Sequence, residues 1–160
     1  MSQKLTVTLG GSVSRSLRVP SDWVVRLVDV CREVRPHAAC CVFKSLVGGW
    51  TTSCSMHEQM LLPCIFGCTG GRDEVNHYFL CSPLWQIASE ALQIEAPLDL
   101  ATRLCLVTPT PSTVRLLALT FVLYHYAKTR AKELGGATVV GSRDVQRITF
   151  EAARTFLSHV

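Results

Sequence analysis

The sequence has no apolar run long enough to cross a bilayer. Its longest such stretch, Leu116 to Ala127, is 12 residues and includes Thr120 and His125, whereas a spanning helix needs about 20. The opening MSQKLTVTLGG lacks the hydrophobic core of a signal peptide. Charge is also scarce: 18% of residues are charged, against about 25% in an average domain, which excludes charge-rich disorder and a coiled coil. There is no internal repeat and no low-complexity segment, so solenoids and linear arrays are excluded as well. These absences predict an intracellular protein, nuclear or cytoplasmic, with no membrane association. In that setting eight cysteines read as thiols or metal ligands rather than disulfides.

What is present is apolar. The chain has 160 residues, enough for one domain or one domain with a loosely attached end. Apolar residues make up 48% and the mean hydropathy is +0.27, so either the core is unusually full or some apolar surface expects a partner. The net charge of +4 is unevenly spread. Residues 1–49 carry seven Lys/Arg against three Asp/Glu, residues 50–81 one against three, and residues 82–160 eight against six. Basic flanks therefore enclose an acidic middle, a distribution that permits nucleic-acid contact without requiring it.

Leu5, Val7 and Leu9 alternate with Lys4, Thr6 and Thr8, a short strand signal, and the Gly10-Gly11 and Ser-rich stretch to Arg18 reads as loop. Ser21 suits the N-cap of a helix from Asp22 to about Val34. Pro36 opens a second helix through Leu46, stopped by Gly48-Gly49. Ser82-Pro83 opens a helix to about Gln93, and Pro97 a short one to about Val107. Thr110-Pro111 opens the most apolar helix, Ser112 to Leu134, which is expected to be buried. Ser142 caps the last, with Val145, Ile148, Ala152 and Phe156 on its core face.

The segment that carries chemistry is Cys64-Ile-Phe-Gly-Cys68, then Gly70-Gly71, then His77-Tyr-Phe-Leu-Cys81. Structural zinc takes four Cys/His ligands in a tetrahedron. Cys64 and Cys68 can reach one ion across a turn that Gly67 permits, Gly70-Gly71 lets the chain reverse, and His77 and Cys81 share a face one turn apart on a helix that Asp73 can cap. The competing reading is scattered core thiols and a surface histidine. The expected fold is mainly α: an irregular helical domain stapled by a small Cys3His zinc knuckle, with at most a short N-terminal strand. Its divisions are an N-terminal helical segment with a basic flank (1–49), the zinc knuckle (50–82) and a C-terminal helical subdomain (83–160).

The run LPCIFGCTGGRDEVNHYFLCSPLW resembles the zinc-binding region that follows the reverse transcriptase in non-LTR (LINE-type) retrotransposons. There a Cys-Cys-His-Cys motif sits between helices with a Trp nearby; the matching positions are Cys64, Cys68, His77, Cys81 and Trp85. The upstream GGWTTSCSMHEQ resembles the Gly-Trp-Thr stretch that precedes that motif. The match covers about residues 48–85, with one residue fewer between His and the last Cys than in many members. The resemblance implies an element-derived module that holds one structural Zn2+ and binds RNA or DNA, with the rest of a reverse transcriptase as a further partner. The chain has no Asp-Asp pair, and Asp73, Asp99 and Asp144 are its only aspartates after residue 50. The polymerase signature of that family is therefore missing, no nuclease-like carboxylate cluster replaces it, and the expectation is a fragment without enzymatic activity.

Three thiolates and one Zn2+ bring the 50–81 segment to about −3, a poor phosphate surface. Phosphate contacts are thus expected from the flanks. Candidates are Lys128, Arg130 and Lys132, and Arg143, Arg147 and Arg154, which fall within about 40° of one another on a helix. The competing reading is a solvated face in which Glu151 pairs with Arg147 and Arg154. Arg15, Arg18, Arg26, Arg32 and Arg35 form a third basic region. Cys54-x2-His57 has no matching second half, so it is not expected to form a second site. Cys31, Cys40, Cys41 and Cys105 read as core, His125 as a satisfied buried histidine, and Trp50 and Trp85 as packing around the metal site rather than as stacking platforms for bases. The alternative function is a zinc-stapled protein-interaction domain with no nucleic-acid role.

Overall fold

The apolar stretch around Leu116 requires burial on nearly every side, and the rest of the chain is arranged to supply it. In the computed structural model, which describes residues 2–9, 13–133 and 142–158, this stretch is the middle of helix α6 (Pro111–Glu133). Thr110 and Thr113 exchange side-chain and main-chain bonds at its start: the Thr113 N–H donates to Thr110 Oγ1 (3.2 Å) and the Thr110 N–H to Thr113 Oγ1 (2.9 Å). Two of the orphan donors at a helix start are satisfied this way. Val114, Leu116, Leu117, Ala118, Leu119, Leu123 and Tyr124 are then fully buried.

Around α6 pack α2 (Pro36–Leu46), α4 (Ser82–Leu92) and α7 (Ser142–Ser158), with lighter contact from α1 (Trp23–Arg32) and α5 (Leu100–Arg103). The short α3 (Val75–Leu80) lies against α5. The described fold is mainly α. One continuous apolar cluster runs from Val19 to Phe156 and takes members from every helix, so it joins residues of all three expected divisions. Among the described residues, no helix is long and apolar enough to cross a membrane.

Three helix ends share one device. The Gly49 N–H reaches back to Lys44 O (2.7 Å) around Gly48 at φ +77°, closing α2 where the glycines predict. The same wrap ends α4 at Gln93 (φ 54°) and α5 at Cys105 (φ 57°) without a glycine. The helix expected over 97–107 is thus only four residues long, because the left-handed turn at Cys105 delivers buried Leu106 to the core.

The expected N-terminal strand, β1 (Ser2–Leu9), pairs antiparallel with a second strand, β2 (Val13–Pro20), in register Ser2↔Pro20 to Leu9↔Val13. The stretch to Arg18 read as loop because of its serines. Yet Val13, Leu17 and Val19 alternate with Ser14, Ser16 and Arg18, and pairing with β1 engages alternate backbone groups along the strand. Val19 is buried and Leu17 packs against the core at the base of this ribbon.

Because α6 is enclosed, Leu117→Ala should destabilise the protein by about 2–5 kcal/mol. Leu98→Ala, at a position 94% exposed, should change stability by less than about 0.5 kcal/mol. Urea denaturation of the two variants checks the contrast.

Candidate metal centre

Residues 50–74 contain no helix and no named strand, so their shape depends on side-chain bonds and tight turns. An isolated bridge pairs Pro63 with Arg72. Inside it the Cys64 N–H donates to Gly71 O (2.8 Å) and the Gly71 N–H to Cys68 O (3.3 Å), while Gly67 and Gly70 turn at φ +77° and +73°. This small turn carries Cys64 and Cys68. His77 follows on α3. Cys81 lies just beyond α3, with extended backbone (φ −63°, ψ 102°), and caps the start of α4. His77 and Cys81 therefore do not share one helix, as their spacing predicts; Cys81 stands at the junction of two.

All four expected ligands converge. The Sγ atoms of Cys64, Cys68 and Cys81 and a ring nitrogen of His77 lie within 4.8 Å of one another. Cys81 Sγ is 3.8 Å from Cys64 Sγ and 3.4 Å from Cys68 Sγ. A tetrahedral ion with metal–sulfur bonds of about 2.3 Å requires sulfur–sulfur edges of about 3.8 Å. His77 Nε2 is buried and has no hydrogen-bond partner. A buried, unpaired ring nitrogen beside three sulfurs has the chemistry of a metal ligand. Gly71 is required by the ring itself: a Cβ there would stand 2.4 Å from His77 Cε1.

A hydrogen bond with Cys81 pushes the Cys64 thiol down. The same bond and burial push Cys81 up, and burial raises Cys68. A divalent cation at their centre would favour all three as thiolates. Four protein ligands leave no coordination position for water or substrate, so the arrangement suits a structural ion.

Asp73 does not cap α3. The N-cap is Glu74, with no side-chain bond, and Asp73 is turned inward at 3% exposure. Its carboxylate accepts from Lys128 Nζ (2.7 Å), the Ser53 N–H (2.6 Å), the Tyr78 hydroxyl (2.8 Å) and the Tyr124 hydroxyl (3.0 Å). Burial raises its pKa, but the bonds from Lys128, Ser53 and Tyr78 outweigh burial, and the net shift is downward. Its stabilising contribution is therefore complete above the ordinary carboxylate value of about 3.9 and is lost as pH falls through the lowered folded value. The sequence reading misses this network. The available signal is a lysine placed in the most apolar helix.

That network removes Lys128 from the candidate phosphate contacts: it is buried, paired with Asp73, and 3.8 Å from Glu58. Arg130 is exposed and pairs with Glu133 (2.7 Å), and Lys132 is exposed. Arg147 and Arg154 are exposed on α7; the side chain of Arg143 lies outside the described residues, as do those of Val145 and Ile148 and of Arg15 in β2. Arg18 and Arg35 are exposed, and Arg26 and Arg32 pair with Asp22 and Asp29.

Trp50 and Trp85 are buried as packing residues. Trp50 stacks on Tyr78 (5.9 Å) and meets Phe79 and Phe121 edge-on, and Trp85 Nε1 donates to Tyr78 O (3.1 Å). His125 is half-buried among Phe121, Tyr124 and Trp50, and burial lowers its pKa. It is not satisfied as expected: Nδ1 lies 3.4 Å from Thr51 Oγ1, but Nε2 is unpaired. Cys31, Cys41 and Cys105 are core thiols, raised by burial. Cys40 is exposed rather than core, since it falls on the outer side of α2. Cys54 and His57 are exposed and stand outside the metal cluster.

Comparison with protein-family models, with curated proteins and with solved structures finds no match for this chain.

Gly71→Ala should weaken metal binding by about tenfold or more, the range seen when the groups that orient a ligand are disturbed, because the added methyl occupies the place of the His77 ring. Competition with a chromogenic chelator measures this directly; wild-type affinity would refute the role given to Gly71.

Proposed function

We propose that this chain is a zinc-stapled nucleic-acid-binding module of the kind that follows the polymerase in non-LTR retrotransposons, without polymerase or nuclease activity of its own. The observation that carries the reading is the convergence of Cys64, Cys68, His77 and Cys81, the four ligand positions of the motif, on one point. Three thiolates and one imidazole are the donor set of structural zinc sites. It would hold the 50–81 segment against α6 and α4.

The nucleic acid would be met by the flanks. On the flanks, among the described residues, Arg18, Arg35, Lys44, Lys132 and Arg154 are exposed and have no ion pair. They are free to exchange counterions for phosphates. A second reading, protein interaction, is favoured by apolar side chains left on the surface: Val25 (62% exposed), Val47 (82%), Met60 (71%) and Phe150 (73%).

Two measurements test the proposal. Protein purified without added metal should carry one zinc per chain, and a strong chelator should remove it together with part of the helical circular dichroism signal. An intact fold without zinc would reduce the four ligands to core residues. Binding of a labelled single-stranded RNA should weaken with salt at a slope of about −0.7 per phosphate contact. Lys132→Ala/Arg154→Ala should flatten that slope by about one unit or more. No binding at low salt would favour the protein-interaction reading.

A further inference from the structure

Asp73 is where both halves of the ligand set meet the helical core. Its N–H donates to Leu62 O (2.8 Å), two residues before Cys64. Its Oδ1 accepts the hydroxyl of Tyr78, the neighbour of His77. That hydroxyl in turn accepts the N–H of Ile65 (3.3 Å), the neighbour of Cys64. One carboxylate and one phenol therefore fix the distance between the turn bearing Cys64 and Cys68 and the helix bearing His77. On its other side the same carboxylate takes Lys128 and Tyr124 from α6 and the N–H of Ser53. Asp73 is itself no ligand, since the metal cluster consists of the other four side chains.

We propose that Asp73 is the positioning residue of the metal centre, and that Lys128 and Tyr124, more than 40 residues away on α6, set metal affinity through it. The inference rests on the metal reading above. Its logic is that of an outer-shell partner: the group that orients a ligand determines how much of the ligand's binding is spent on ordering it. The dependence is reciprocal. If the Asp73–Lys128 pair strengthens metal binding, the bound metal strengthens that pair by the same factor. Loss of metal would then loosen the pairing that keeps Lys128 inside.

The test uses the full chain, with Zn2+ for affinity and Co2+ as a spectroscopic probe of tetrahedral coordination. Asp73→Asn should weaken zinc binding by about tenfold to a hundredfold and alter the visible bands of the Co2+ form. Lys128→Met should do the same, because it leaves a buried carboxylate unpaired. Lys128→Met/Asp73→Asn, with no charge left to compensate, should recover part of the affinity lost in either single variant. Leu27→Ala, a cavity in α1, should lower stability while leaving zinc affinity and the Co2+ spectrum of the folded protein as in wild type. Should Asp73→Asn fail to fold, Tyr124→Phe, which removes the hydroxyl bonded to Asp73, should still weaken zinc binding severalfold. Wild-type affinity and spectrum in Asp73→Asn, or wild-type affinity in Tyr124→Phe where the former does not fold, would overturn the proposal and leave the metal reading standing. A wild-type chain that takes up neither ion would overturn both.

Discussion

The structure depends on one buried carboxylate. An ionised group at 3% exposure is tolerable only if nearly all its lone pairs are used, and Asp73 meets that condition with four donors from three parts of the chain. The condition is mutual. Lys128, drawn into the apolar α6, has no other counter-charge as close, with Glu58 at 3.8 Å. Tyr78 and Tyr124 lie deep in the aromatic cluster about Trp50, and Asp73 is the acceptor for both hydroxyls. The segment 50–74, which has little regular structure, thereby acquires a fixed place on α6. Removing one member of such a network costs far more than removing all of it, and this makes the network specific as well as stabilising.

Around that constraint, much of the fold was legible in the sequence. Pro36 and Gly48-Gly49 bracket α2 as read, and Thr110-Pro111 opens α6, whose apolar run is indeed the most buried. The convergence of Cys64, Cys68, His77 and Cys81 was legible because short spacings and turn glycines confine the chain locally. What was not legible was long-range. Asp73 reads as a helix cap because Glu74 and α3 follow it, and no local pattern reveals a lysine 55 positions later. The second strand was hidden by serines whose pattern acquires meaning only opposite β1. Gln93 and Cys105 adopt left-handed turns that composition does not announce.

The same long-range pairing changes the meaning of the charges. As a sequence, Lys128, Arg130 and Lys132 form a basic end to α6, suited to its dipole. As a structure, they divide: Lys128 serves the interior, Arg130 is engaged with Glu133, and only Lys132 is exposed without an ion pair. The basic flanks are therefore thinner than a count suggests. Among the described residues, exposed cations without an ion pair lie on β2, α2, the metal-bearing turn, α6 and α7 rather than in one cluster, so a phosphate surface built from them would be broad.

A broad surface places a premium on rigidity, because scattered contacts add up only if their spacing is held. The helices that carry the cations are set by direct packing of α2 and α7 on α6, while the 50–81 segment, which links α2 to α4 in the chain, has little secondary structure of its own. Its backbone bonds are mostly those of turns and an isolated bridge, and burial of Trp50, Phe66, Tyr78 and Phe79 seats it on the core. The two remaining anchors are of opposite kinds. The Asp73 network is an anion matched by donors, and the Cys3His cluster is a set of electron-pair donors that a cation would match. They share Tyr78, which touches the first through its hydroxyl and neighbours the second through His77. A segment tied at two adjacent points is held more firmly than one tied at either alone, and the second tie is what a metal staple would contribute.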